Sequence, residues 1–193
     1  MDKEELQEAR TNPEFLDYLE STRLDAIKTK DVEALYEVLD SMLILDLDEE
    51  KLNSVYQKIL ETSFEKVETI VNENKKLNLD SEQMYYVRAL YEHGIEKWSY
   101  DNFDGAKDLL FVLSNIINDE FLADCLQVHI IALTKKTSLD DFYDKEVDLN
   151  TCQNEEKYGY FITNFTMKVE SYLEENKDLL TTEYENLKHL LES

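Results

Sequence analysis

Residues 90–113 read LYEHGIEKWSYDNFDGAKDLLFVL, and the fold turns on how this stretch is read. Leu90, Tyr91, Gly94 and Trp98 recur at helical spacing before a polar break at Asp101-Asn102, and Phe103, Ala106, Leu110 and Leu113 do so after it. Two helices joined by so short a turn lie antiparallel. Their close approach needs small residues facing one another, which Gly94 and Ala106 supply, while Trp98 and Phe103 fill the space beside the turn. A glycine inside a helix costs about 1 kcal/mol against alanine, so Gly94 has a packing role.

The same pattern extends outward in both directions. Toward the N-terminus, Ser81 or Asp80 starts the first helix of the hairpin, read as 81–100. Before it, residues 49–74 carry Leu52, Val55, Tyr56, Ile59, Leu60, Phe64, Val67, Ile70 and Val71 at helical spacing, the longest helix of the chain. Asp31 caps a helix over 32–45 that buries Leu35, Val38, Leu39, Met42 and Ile44. Asn12 as N-cap and Pro13 at the first helical position open another over 14–28, with Phe15, Leu16, Tyr18, Leu19 and Ile27 on one face. Residues 1–12 read as a flexible acidic tail. Toward the C-terminus come helices over 103–117 and 120–134, a short helix and loop within 138–153, and two closing helices over 155–176 and 181–191.

Three glycines and one proline in 193 residues leave little material for hairpins, so sheet is disfavoured. The expectation is an all-α chain of about seven to nine helices in antiparallel hairpins, a single domain over 1–193 with 81–134 at its centre.

Charge narrows the partners. Forty-four acidic residues against twenty basic ones give −24, which repels a phosphate backbone and anionic lipid alike, so neither nucleic acid nor membrane is expected. No apolar run approaches the ~20 residues of a membrane span. The N-terminus, Met1-Asp2-Lys3-Glu4-Glu5, has no basic patch followed by an apolar run, so the reading is a cytoplasmic protein. Cys125, in an apolar helix, and Cys152, in a polar turn, share no CxxC spacing and fit a reducing compartment.

Catalytic and cofactor signatures are sought and not found. His93, His129 and His189 fall on separate helices without metal-ligand spacing. Asp46-Leu47-Asp48-Glu49-Glu50 lacks the central glycine and closing glutamate of a calcium loop. There is no glycine-rich phosphate loop and no nucleophile elbow, and pairs such as Asp140-Asp141 reflect acidic composition alone. The chain reads as a non-enzyme without metal or cofactor.

The order small Gly94, aromatic Trp98, aromatic Phe103, small Ala106, then Leu110 and Leu113 resembles one tetratricopeptide repeat over about 87–120. Within that superfamily the acidic composition and size are similar to the chaperones of type III and flagellar secretion. The resemblance implies a helical groove that holds a segment of an export substrate. No second copy lies about 34 residues upstream, so the flanking helices must complete the core.

Twelve tyrosines supply candidate contacts, and Tyr85, Tyr86, Tyr91 and Tyr100 crowd around Trp98. Tyrosine buries large area while keeping a polar tip wet, which suits an interface. The four are read as partner-facing in a groove over 81–134, with Trp98 in the core and a basic or neutral protein segment as partner. A regulatory subunit is the alternative, and a homodimer through the N-terminal amphipathic helices is the third reading.

Overall fold

A computed structural model describes residues 3–151 and 155–191. Among them are ten α-helices and two 3-10 turns, and no strand beyond two isolated bridges. The all-α expectation holds, with one helix more than its upper bound. Cys152 lies outside the described residues.

The chain divides into two compact units, 1–68 and 69–193. In the first, α1 (Lys3–Thr11) occupies a segment read from sequence as tail, α2 (Pro13–Thr29) packs on α3 (Val32–Ile44), and α4 (Glu49–Asn72) is the longest helix. The caps predicted at Asn12 and Asp31 form, and Asp48 caps α4, whereas the helix expected to start at Asp80 or Ser81 starts at Gln83 without a side-chain cap. Asn12 Oδ1 accepts from Glu14 N–H at 3.0 Å and Phe15 N–H at 3.3 Å, Asp31 Oδ1 from Ala34 N–H at 3.0 Å, and Asp48 Oδ1 from Lys51 N–H at 3.2 Å. Leu35, Val38, Leu39 and Met42 are buried as expected, but Ile44 is 61% exposed. The helix ends at Ile44, and the chain turns Leu45 inward in its place.

The second unit is built on α5 (Gln83–Ser99), α6 (Phe103–Ile116) and α7 (Glu120–Thr134), each packed on the next. Asn102 and Asp119 cap α6 and α7, accepting from Gly105 N–H at 3.1 Å and Leu122 N–H at 2.9 Å. The loop before α5 is pinned by its two leucines. Leu77 and Leu79 are buried, and Leu77 exchanges backbone bonds of 2.8 Å with Ile116 and Asn118.

The C-terminal region departs from the sequence reading. Instead of one helix over 155–176 there is a 3-10 turn at Glu156–Tyr158, an irregular segment, and then α9 (Val169–Glu175). Ile162, Thr163 and Thr166 are β-branched residues of low helix propensity. The segment's backbone groups find partners elsewhere: Asn164 O accepts from Asp148 N–H at 3.0 Å, and Thr166 N–H donates to Glu146 O at 2.9 Å. The short α8 (Leu139–Lys145) packs on α5, and α10 (Lys177–Leu187) lies on α7 and α9.

Five helix ends close through a left-handed residue that is not glycine: Lys30, Asp46, Asn74, Asp101 and Lys136. No described glycine has positive φ. Scarcity of glycine therefore does not exclude tight turns here; Asn, Asp and Lys make them at about 1–2 kcal/mol each.

Candidate interaction site

Gly94 does allow a close crossing, but its neighbour is not Ala106. A Cβ built on Gly94 would lie 2.8 Å from Leu110 Cδ2 and 3.2 Å from Leu110 Cγ. Leu110 stands one turn beyond Ala106 on the same stripe of α6, and both are fully buried. Trp98 is core as expected, fully buried. Its ring meets Phe142 of α8 at 4.8 Å between centroids, and its Nε1–H donates to Thr137 O at 2.9 Å. Phe103 is half-buried under the Lys136 ammonium, 5.2 Å from its centroid. Leu113 is fully buried.

The tyrosines separate by burial. Tyr100, just past the end of α5, is 79% exposed, and Tyr85 is half-buried. Tyr86 and Tyr91 are core residues at 4% and 3% exposure, and their assignment to a partner-facing surface is corrected. They lie on the buried stripe of α5 with Val87 and Leu90.

Tyr91 also has internal work for its hydroxyl. The oxygen accepts from Ile162 N–H at 3.0 Å, and the proton goes to His129 Nε2 at 3.2 Å. His129 in turn donates Nδ1–H to the Cys125 carbonyl at 2.7 Å. That arrangement requires a neutral imidazole, and burial holds its pKa down, to about 4. Burial pushes the Tyr91 phenol well up and the Cys125 thiol to about 12, so Cys125 is a poor nucleophile. Phe142 and Phe165 pack on the His129 ring at 5.1 and 5.9 Å.

Two concavities flank this core. The first, about 310 Å³, lies where α10 crosses α6 and α7. Phe111, Ile130, Leu180 and Tyr184 form its apolar surface, and Ser114, Asn115 and Gln127 its polar one. The covering helix is lightly anchored, burying only Glu183 and Leu187. Glu183 is met by the Lys107 ammonium at 2.5 Å, and Tyr184 lies edge-on to Phe111 at 5.9 Å. The second, about 350 Å³, lies between α5 and the irregular segment and is lined by Tyr91, Glu92, Ile95, Tyr143, Tyr160 and Phe161, among others.

Neither family models, curated proteins nor solved structures yield a match to this chain.

Of the residues read from sequence as partner-facing, Tyr91 alone lines one of these two concavities. Among the lining residues missed are Asn115, Gln127, Tyr143, Tyr160 and Phe161. The aromatic run Tyr158-Gly159-Tyr160-Phe161 was a visible signal, masked by its assignment to a helix interior. Among the described residues no three His, Cys, Asp or Glu side chains converge as a metal site would require, and no helix is long and apolar enough to cross a membrane.

Proposed function

We propose that the chain is a non-catalytic protein-binding module that holds a partner segment along the concavity of α6 and α7. The observation that carries this reading is the make-up of that surface. An apolar floor of Phe111 and Ile130 is flanked by the side-chain amide of Gln127, which both donates and accepts, and by the amide of Asn115, whose NH2 is engaged by Phe111 O at 2.8 Å and Ser114 Oγ at 3.3 Å and which presents its carbonyl oxygen as an acceptor. Such a surface suits a peptide, whose backbone needs both kinds of partner. The finer reading is a cytosolic chaperone or co-chaperone for a secreted or flagellar export substrate, and it rests on the resemblance of residues 87–120. The net charge of −24 favours a basic or neutral segment.

The test is affinity capture from native cytosol with the wild-type chain and with Gln127→Arg, which fills the polar side from a half-buried position. One or a few proteins retained by the wild type and lost by the folded variant is the expected result, and export substrates among them support the chaperone reading. Identical captures by both proteins refute the groove.

A further inference from the structure

The second concavity is chemically more specific than the first. Four of its eight lining residues are the aromatic Tyr91, Tyr143, Tyr160 and Phe161, and Glu92 is the one charged side chain among the eight. Tyr91 and Phe161 pack edge to face on each other at its base, at 75° with centroids 5.2 Å apart. Tyr160 already receives a cation: the Arg88 guanidinium carbon sits 4.0 Å from its ring centroid. Arg88 is ion-paired to Glu92, Nε to Oε1 at 2.8 Å, so the pair adds no net positive charge beside the cavity. No lysine or arginine lines it. Its volume of about 350 Å³ lies within the range of small-ligand pockets.

Aromatic faces bind a diffuse cation through their quadrupoles, and desolvated alkylammonium groups suit them best. The surrounding charge of −24 raises the local concentration of such cations. We propose that this cavity binds an alkylammonium group, its carbons against Tyr143, Tyr160 and Phe161 and its charge in the field of the acidic surface. The group can come from a free quaternary amine or from a methylated lysine of a partner protein; the chemistry is shared.

Calorimetric titration of the full chain with choline, against its neutral isostere 3,3-dimethylbutan-1-ol, tests the charge requirement. Choline is expected to bind and the isostere to bind at least about fivefold more weakly, the worth of a modest cation–π contact. Tyr160→Ala, at a position 40% exposed, should keep its melting temperature and weaken choline at least about fivefold. A short peptide bearing one trimethyllysine separates the sources: tighter binding than choline assigns the group to a partner protein, weaker binding to a small molecule. Equal affinity for choline and its isostere, no choline binding, or a folded Tyr160→Ala with unchanged affinity overturns the proposal. Gln127→Arg should leave choline binding intact, so failure of the α6–α7 groove is separable from failure of this site.

Discussion

At the residue scale, His129 and Tyr91 define the interior of the second unit. The imidazole titrates near 4 in the folded chain against an ordinary 6.5, because burial disfavours its charged form. Protonation therefore favours the unfolded chain. The contribution is complete above pH 6.5 and is lost as the pH falls from 6.5 to 4, by about 3 kcal/mol in total at ~1.36 kcal/mol per unit. Chemical denaturation at pH 7 and pH 4.5 should show a larger loss for the wild type than for a folded His129→Gln; equal losses contradict the assignment. Trp98→Ala should cost about 3–5 kcal/mol in the same assay, and Tyr100→Ala less than about 0.5 kcal/mol. Trp98 as core was legible from its place in the helical pattern. The burial of Tyr91 was not, because its hydroxyl serves Ile162 N–H and His129, residues far along the chain that no local spacing connects to it.

At the element scale, helix starts were the most legible features. Asn12-Pro13, Asp31, Asn102 and Asp119 cap through local side chain to backbone bonds that depend on neighbours two or three residues away. The irregular segment over 159–167 was misread as helix because its backbone partners, Tyr91, Glu146 and Asp148, are supplied by other elements. Tyr91→Phe removes one of those partners. It should destabilise the unit by about 1–3 kcal/mol, the cost of leaving a buried donor unmet. Hydrogen exchange at Ile162 should accelerate more than at the α6 amides; uniform acceleration would show that the hydroxyl does not hold this segment. The crossing of α5 and α6 was placed correctly while its contact pair was not, since Leu110 rather than Ala106 covers Gly94. Ala106 is still fully buried, so Ala106→Leu should cost about 1–3 kcal/mol by overpacking, read from thermal melts; an unchanged melt would mean that site has slack.

At the scale of the whole molecule, composition carried the all-α class, because a chain so poor in glycine and so rich in helix formers has few ways to build sheet. The concavities were beyond it, since each joins α5, α6 or α7 to residues beyond 140. A charge of −24 sets the long-range behaviour: added salt should screen self-repulsion and raise the melting temperature, while slowing association with a basic segment. The central claim is that a partner occupies the surface of α6 and α7, and hydrogen–deuterium exchange of the chain with and without its captured partner measures it most directly. The account predicts new protection concentrated in Phe103–Ile116 and Glu120–Thr134. Protection confined to other helices, with these two unchanged, would contradict it.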